Sequence, residues 1–322
     1  MGERMKALIP IDQCALYKCR SKKRLAALLR VDLGQLNTRN QWIGYRIDTK
    51  PKKHGGYRVI HVPEEKLKSV QHRIQHLLAR IEKPEWVFSG TRGKCHIDNA
   101  RYHEGSPFVI TADISSFYDS CEREAVYRFF RERMDVAPDV AEILSDLTTY
   151  RDHATNRCCI PTGSPCSQLI AYFAYQDMFD ELHQIAVRYG CKFSLYVDDI
   201  TLSSHEAISD PRSMEKMLEH TLSAFGHHLK WSKTKYRGRA QHKVVTGVAL
   251  TAGNGSVSVP NNLGERVIDG MQDVKHGQLD KACSVLGQIG AARQITPGVF
   301  PEAERVVLRT LHEAPQPHID LA

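Results

Sequence analysis

Several common features are missing from this sequence, and each absence narrows the class of protein. The nine cysteines form no Cys-x-x-Cys pair and are odd in number, so neither a disulfide framework nor a zinc site is predicted. No apolar run approaches the ~20 residues that span a bilayer, and no secretory signal is evident. Repeats and low-complexity segments are also lacking. These absences indicate a globular protein of a reducing cytosol.

Acidic residues are outnumbered by basic ones. The 322 residues carry a net charge of +7, with 42% hydrophobic and 25% charged side chains, and the pI is about 8.9. This length suffices for a sizeable core in one or two domains. The positive excess favours a polyanionic partner, although many enzymes are mildly basic without one.

The most informative acidic residues lie in the stretch 194–203. Asp198 and Asp199 separate two short runs of β-branched and aromatic residues, which predicts a hairpin with both acids at its tip. A second strand-like run, 108–112, ends at Asp113. If these strands are neighbours, Asp113 and Asp198 can share two Mg²⁺ ions about 3.5–4 Å apart and support nucleotidyl transfer. A capped surface hairpin beside an unrelated acidic turn is the alternative.

Three short motifs, in this order, resemble the palm motifs of reverse transcriptases. They are Asp113 to Tyr118, the loop Pro161-Thr162-Gly163-Ser164-Pro165-Cys166-Ser167, and the box Tyr196-Val197-Asp198-Asp199. Further blocks between about Tyr45 and Val259 resemble retron reverse transcriptases of bacteria. The resemblance implies an α+β right-hand polymerase with fingers, palm and helical thumb. It also implies that Asp113, Asp198 and Asp199 are catalytic and bind two Mg²⁺ ions.

The resemblance further predicts how the chain is divided into domains. N-terminal helices and fingers are expected over 1–107, the palm with interleaved fingers segments over 108–245, and an RNA-binding thumb over 246–322. Fingers and palm interleave, so we do not expect them to fold separately.

Helical periodicity predicts several long elements. Leucines within 24–36 predict a packing helix in a basic N-terminal region. The stretch 64–81 predicts an amphipathic helix, on which His72 and His76 lack a third zinc ligand and so indicate a polar face. A long helix is expected after the loop that contains Gly163, up to Tyr189.

A basic hairpin and a later lysine are predicted, by resemblance, to bind the triphosphate of a deoxynucleotide. Lys53 and Arg58 match the family's fingers ligands, and a point charge and a planar fork both suit phosphate. The neighbouring Lys52 is an alternative to Lys53. Downstream, Lys233 or Lys235 is expected near the triphosphate.

Two further residues are predicted to contact the nucleotide. Tyr118 matches the aromatic sugar gate that clashes with a ribose 2′-OH, and a core position beside Phe117 is the alternative. Gly163 permits close approach of the backbone to a nucleotide. Thr162 stands where many relatives have Gln, which weakens any claim of a side-chain amide contact there.

Three segments are predicted to contact nucleic acid. The stretch 230–243 has six basic residues, no acidic one and interleaved aromatics, which suits phosphate binding and base stacking; a solvated basic loop is the alternative. The block 99–103 resembles a retron motif with either a structural or a template-binding role. The block 245–247 resembles one associated with cognate RNA. The predicted contact residues are Asn99, His103, Trp231, Lys235, Arg237, Thr246 and Gly247.

The resemblance implies RNA-directed DNA synthesis in the bacterial cytoplasm, with no membrane partner. A cognate structured non-coding RNA would serve as template and primer, dNTPs as substrates, and the RNA–DNA hybrid of a retron (multicopy single-stranded DNA) as product. Retrons act in antiphage defence, usually with an effector protein. Two alternatives stay open. One is an abortive-infection or intron-type reverse transcriptase, although the chain lacks a maturase extension. The other is a non-catalytic RNA-binding scaffold, for which clustered carboxylates would be costly.

Overall fold

The computed structural model describes residues 7–51, 55–152 and 155–313. The helices are α1 Lys22–Leu29, α2 Leu33–Asn37, α3 Glu65–Leu78, α4 His96–Tyr102, α5 Phe117–Ser120, α6 Arg123–Arg128, α7 Pro138–Thr148, α8 Ser167–Ala174, α9 Gln176–Arg188, α10 Pro211–Ala224, α11 Asn261–Lys275, α12 Ala282–Ile295 and α13 Pro301–Glu313. The strands are β1 Tyr45–Pro51, β2 Tyr57–Pro63, β3 Phe108–Asp113, β4 Tyr150–Arg151, β5 Cys158–Cys159, β6 Lys192–Tyr196, β7 Asp199–Ser204, β8 Lys235–Arg237, β9 Lys243–Val245, β10 Val248–Leu250 and β11 Val257–Ser258.

The chain forms two compact units, each assembled from three segments. The first unit comprises 1–94, 111–202 and 209–235, and the second comprises 95–110, 203–208 and 236–322. The predicted division into fingers, palm and thumb at 107 and 245 stays a prediction. No helix within the described ranges has the length and apolar character needed to cross a membrane.

A four-stranded sheet of order β6–β7–β3–β8 carries the predicted acidic residues. Consecutive residues of the hairpin strands are buried, and the apolar ones, Phe193, Leu195, Ile200 and Leu202, are almost fully so, which indicates that both faces of this part of the sheet are covered. The expectation that the strand ending in Asp113 lies beside the acidic hairpin is confirmed, since β3 is the neighbour of β7.

The predicted basic hairpin is also present in the first unit. Strands β1 and β2 pair antiparallel, from Tyr45 opposite Pro63 to Pro51 opposite Tyr57. Gly55 and Gly56 follow its tip with φ of 88° and 77°, a backbone region that side chains disfavour. Lys53, with its neighbours 52 and 54, lies outside the described residues.

Two helices that were predicted to be continuous are each divided in the structure. In the first, α1 ends where Arg30 adopts φ 61° and ψ 43°, a left-handed cap that stops a helix, and α2 begins at Leu33. In the second, Tyr175 separates α8 from α9. Its hydroxyl accepts a hydrogen bond from the Glu122 amide at 3.0 Å and donates one to the Ser120 carbonyl at 3.3 Å. That anchor explains why the helix is interrupted there.

The second unit has two apolar clusters. One joins α4 to the three-stranded sheet β11–β10–β9 and to the ends of α11 and α12. The other lies among α11, α12 and α13, which contact one another pairwise. The members of this second cluster are Val267, Val274, Ala282, Val285, Ile289, Ala303 and Val307.

Candidate active site

The acidic hairpin turns at a strained residue. Tyr196 ends β6 and Asp199 begins β7, so Val197 and Asp198 form the turn, and Val197 has φ 61°. A β-branched residue in this region is an outlier, at a cost of about 1–3 kcal/mol. The Val197 amide donates a hydrogen bond to the Ser89 hydroxyl at 2.9 Å. Ser89 is 5% exposed, so this buried contact helps to fix the turn. Sequence reasoning missed Ser89, because nothing in its local pattern marks it.

One backbone hydrogen bond joins the two acidic sites, and a second joins Asp113 to the segment that carries Lys233. The Ile114 amide donates to the Asp198 carbonyl at 3.2 Å, and the Lys230 amide donates to the Asp113 carbonyl at 2.7 Å. Asp113 is 8% exposed, whereas Asp198 and Asp199 are half-buried. The three carboxylates predicted to be catalytic therefore lie in one region of the first unit.

Crowding of like charge marks this region. Burial raises the pKa of Asp199 to about 7, and the charges of Asp198 and Asp113 add to the effect. Burial likewise raises the pKa of Asp198, followed by repulsion from Asp113. Two cations act in the opposite direction. The Lys233 ammonium is 2.7 Å from Asp113 Oδ1, and the charges of Lys233 and Arg58 lower the pKa of Asp198.

The chemistry of the three carboxylates suits a hard divalent cation. Carboxylate oxygens are the ligands that Mg²⁺ prefers, and positive charge would relieve the repulsion that raises the pKa of Asp198 and Asp199. The site is not a closed metal cage. Over 7–51, 55–152 and 155–313, no three His, Cys, Asp or Glu side chains are arranged to hold an ion. Lys233 holds one oxygen of Asp113 in this arrangement.

Tyr118 lies within the electrostatic reach of the acids. Its pKa is raised, first by burial and then by the charge of Asp198. Phe117 is 4% exposed and its ring centre is 5.5 Å from that of Tyr118, whereas Tyr118 is only half-buried. Phe117 therefore fills the core and Tyr118 lies at its edge. Arg58, on β2, is exposed.

Packing against β2 explains why position 163 is a glycine. A Cβ at this position would lie 2.4 Å from the carbonyl oxygen of His61 and 2.8 Å from its carbon, so only glycine lets the loop pass β2 this closely. The Thr162 hydroxyl donates a hydrogen bond to the Val59 carbonyl at 3.1 Å. The close approach seen in the structure is thus to the hairpin backbone. The predicted contact with a nucleotide stays a prediction.

Asn99 and His103 are both 0% exposed, which favours the structural role for the block 99–103 over direct contact with a template. The Asn99 amide donates a hydrogen bond to the Thr246 hydroxyl at 3.3 Å. That hydroxyl donates in turn to the His96 carbonyl at 2.7 Å. His103 Nδ1 is 2.7 Å from the Ser203 hydroxyl.

Thr246 and Gly247 form the two-residue turn between β9 and β10. Val245 pairs with Val248, and the two turn residues have φ of 45° and 82°. Both central residues of a type I′ hairpin turn need positive φ, for which Asn-Gly is preferred. Thr is strained there, and the Asn99 contact offsets part of that strain. Gly247 is exposed and Thr246 half-buried.

The remaining predicted nucleic-acid residues lie on or near the surface. Trp231 is 40% exposed, and the guanidinium carbon of Arg212 lies 4.6 Å from the centre of its ring. Arg212 lies in the first turn of α10, and no signal in the sequence linked it to Trp231. Lys235 is exposed, and Arg237 is half-buried with Nη1 donating to the Tyr236 carbonyl at 3.4 Å.

The sequence matches known proteins across this region. The family described as "Reverse transcriptase (RNA-dependent DNA polymerase)" matches residues 50–250. The retron Se72 reverse transcriptase of Salmonella heidelberg is 30% identical over 167 residues, which cover 51% of this chain and 42% of that protein. The retron Ec83 reverse transcriptase of Escherichia coli is 23% identical over 269 residues, covering 81% of this chain and 86% of that protein. The chain thus spans less than half of the first relative and most of the second.

A solved structure shares the fold. The apo telomerase of Candida tropicalis matches with a TM-score of 0.51 and 12% identity, over 84% of this chain and 57% of that one. At this identity the similarity concerns the fold alone.

Proposed function

This chain belongs to the reverse transcriptase family, and we propose that it is a retron-type RNA-directed DNA polymerase that copies one structured RNA into DNA. The observation that carries the proposal is the convergence of Asp113, Asp198 and Asp199 beside two cationic side chains, within the region that matches the family. A scaffold that only bound RNA would gain nothing from three crowded carboxylates whose charges oppose one another.

The carboxylates of Asp113, Asp198 and Asp199 would hold the divalent ions of the reaction. Two such ions, when bound, activate the attacking 3′-hydroxyl and stabilise the leaving pyrophosphate oxygen. Reverse transcriptases generally use divalent cations, and Mg²⁺ fits the oxygen donors present here. The backbone bond from Ile114 joins the two acidic segments, and the bond from Lys230 joins Asp113 to the segment that carries Lys233.

The cationic and aromatic residues would position the nucleotide. The guanidinium of Arg58 suits a triphosphate, because its planar fork matches two phosphate oxygens. Lys233 neutralises charge beside Asp113, and the same ammonium would neutralise phosphate. Tyr118, at the edge of the core, would lie beneath the sugar and exclude a 2′-hydroxyl. Positioning and charge neutralisation account for most of the catalysis in such phosphoryl transfers.

The substrate we propose is a cognate non-coding RNA, with an RNA–DNA hybrid of the retron type as product. The curated relatives are retron reverse transcriptases, which supports this choice over an abortive-infection or intron-type enzyme. An antiphage role together with an effector protein, in the bacterial cytoplasm, belongs to the same proposal. Selective binding would come from RNA shape and unpaired loops, while phosphate contacts supply affinity.

The first test is DNA synthesis by Asp198→Asn, which removes a charge at nearly constant volume. Primer extension on an RNA template with dNTPs and Mg²⁺ should be lost, while circular dichroism and thermal unfolding show an intact fold. Asp48→Asn, an exposed change on β1, is the matched control and should extend normally. Normal synthesis by the Asp198 variant would overturn the catalytic assignment.

The second test concerns the RNA. A structured RNA encoded beside the gene should bind far more tightly than a scrambled RNA of equal length, in a competition titration at one stated salt concentration. Equal binding of the two RNAs would favour a general reverse transcriptase over the retron type.

A further inference from the structure

A groove between the N-terminal helices and α3 is lined by basic side chains that the polymerase site does not use. Its volume is about 540 Å³. The junction of α1 and α2 forms one wall, and one face of α3 forms the other. The charged or titratable residues that line it are Arg30, Lys66, His72, Arg73 and His76, and none of the described lining residues is acidic.

Helical spacing places these α3 residues on one face. Lys66, Ser69, Arg73 and His76 follow one another at intervals of three or four, so they lie in one row along the helix. The adjoining face supplies the buried core residues of this helix, and Val70 lies at the boundary between the two. The nearest carboxylate on α3, Glu65, pairs with Lys68 at 3.2 Å, and neither of these residues lines the groove. The positive charge of the row is therefore not offset by its own helix.

Arg30 adds charge from the other wall at a conformational cost. It occupies the left-handed cap of α1, where glycine is preferred and a residue with a side chain is strained. Arg73 Nε donates a hydrogen bond to the Leu28 carbonyl at 2.8 Å, which fixes that guanidinium beside the junction. Burial lowers the pKa of Arg73, and the charge of Arg30 lowers it further. The two guanidinium groups repel each other with no carboxylate between them among the described lining residues.

We propose that this groove, whose lining includes none of the three carboxylates, binds the sugar–phosphate backbone of RNA. The row from Lys66 to His76 extends about 15 Å at 1.5 Å per residue. A nucleic-acid strand carries one charge per roughly 3.4 Å, so a row of this length matches several consecutive phosphates rather than one. Arginine and lysine supply charge, while Ser69 and Gln35 in the lining add hydrogen-bonding groups.

The lining favours RNA over a membrane surface. An interfacial membrane site needs large apolar side chains exposed beside the basic ones, whereas the apolar lining residues Leu29 and Val70 are 2% and 3% exposed and only the smaller Val31 is partly exposed. The inference rests on the proposed function only in taking RNA as the polyanion that this chain meets. Contacts to phosphate carry no sequence information, so the groove would add affinity and orientation for any RNA long enough to reach it.

The test uses two double variants with the same loss of charge. Arg30→Gln with Lys66→Gln removes two cations from the groove. Lys22→Gln with Lys68→Gln removes two from the same helices, α1 and α3, outside the groove. The probe is a fluorescent, unstructured single-stranded RNA of thirty nucleotides, titrated at several salt concentrations. We expect the groove variant to bind at least fivefold more weakly, with a log–log salt slope reduced by about 1.4, and the control to match the wild type.

Three outcomes would overturn the proposal. The first is that the groove variant and the wild type bind RNA with equal affinity and equal salt slope. The second is that the control variant loses as much RNA affinity as the groove variant. The third is that the groove variant binds vesicles more weakly than the wild type but binds RNA equally well. Vesicles that contain phosphatidylglycerol are the probe for the third outcome. Circular dichroism and thermal unfolding exclude a folding defect as the cause.

Primer extension on a short, preannealed RNA–DNA duplex separates this inference from the proposed function. The groove variant should keep the wild-type kcat on such a duplex, because its carboxylates are unchanged. If the wild type extends nothing, the proposed function fails, and the RNA affinities of the two double variants still decide whether the groove binds RNA.

Discussion

Asp199 lies where burial and neighbouring carboxylates disfavour its charged form, and the resulting loss of folding stability depends on pH. Its pKa rises from an ordinary 3.8 to about 7, so between these values the folded protein binds a proton that the unfolded chain releases. Stability is then lost as the pH rises from about 4 to about 7, and the full penalty is present above that range. Metal ions would offset this penalty.

Replacing this carboxylate should therefore stabilise the metal-free protein in alkaline solution. In EDTA at pH 8, Asp199→Asn should raise the free energy of unfolding by about 1–2 kcal/mol, less than the whole pKa shift implies because solvent reaches the half-buried group. At pH 4 the difference should nearly vanish. Thermal unfolding at both pH values is the measurement, with the exposed Asp32→Asn as control. A gain of equal size at both pH values would contradict the electrostatic account.

Tyr118 provides a second prediction at this scale. If it lies under the sugar, Tyr118→Ala should relax discrimination against ribonucleotides, because the clash with a 2′-hydroxyl is removed. The measurement is the ratio of dNTP to rNTP incorporation, and Tyr118→Phe should keep the wild-type ratio because it retains the ring. An unchanged ratio in the alanine variant would place Tyr118 among the core aromatics.

Single residues were predictable where the local pattern was strong. Asp113, Asp198 and Asp199 each follow or interrupt a short apolar strand, and the structure brings them together as expected. The partners that hold them were not predictable. Ser89 contacts a turn more than one hundred residues away, and Arg212, on α10, stacks on Trp231 in the turn before β8. Such pairs arise from tertiary packing, for which a single sequence carries no local signal.

Among the structural elements, the loop that contains Gly163 and the hairpin β1–β2 are joined by close packing. A side chain at Gly163 would have to displace the β2 backbone at His61, and β2 also carries Arg58. We expect Gly163→Ala to lower stability by about 1–3 kcal/mol, as overpacking does, and to raise the KM for dNTPs by moving the hairpin.

Gly34→Ala in α2 is the control for this prediction. A Cβ there meets nothing within 4 Å, so stability should be unchanged or rise by up to about 1 kcal/mol. Chemical denaturation and steady-state kinetics test both variants. An unchanged KM in Gly163→Ala would show that the loop and the hairpin are not coupled.

The turn between β9 and β10 depends on a helix far away in sequence. Thr246→Val removes the hydroxyl that bonds to Asn99 and His96, and leaves a buried amide without its partner. The expected loss is about 1–3 kcal/mol of stability, measured by urea unfolding, with Thr246→Ser near the wild type. Equal stability of the valine variant would mean that the contact contributes nothing.

Across the whole molecule, the α+β right-hand polymerase fold that the sequence predicts is confirmed by the family match and by the similarity to telomerase. Unlike the complete strand order β6–β7–β3–β8, the meeting of the Asp113 strand and the acidic hairpin was predictable from the motifs. The breaks at Arg30 and Tyr175 were not, since side-chain periodicity continues across both positions while the backbone does not.

The net charge of +7 predicts general affinity for RNA, whereas the turn at Thr246 predicts selectivity. Lys235→Glu should weaken binding of cognate and scrambled RNA by a similar factor, because a phosphate contact does not depend on the base sequence. Thr246→Val should weaken binding of the cognate RNA more than binding of the scrambled RNA. Competition titration at one salt concentration distinguishes the two effects. A selective loss in the Lys235 variant would reverse these roles.

Because each compact unit is assembled from three separate segments, synthesis on the ribosome imposes an order on folding. Residues 95–110 emerge early, but the bulk of their unit begins only at 236. At 5–20 residues per second, the wait is on the order of ten seconds. During that interval the apolar residues Ile97, Ala100 and Val109 lack the partners in β9, β10 and α12 against which they are later buried. We therefore expect the nascent chain to bind a chaperone, and a premature stop before 236 would leave this cluster incomplete.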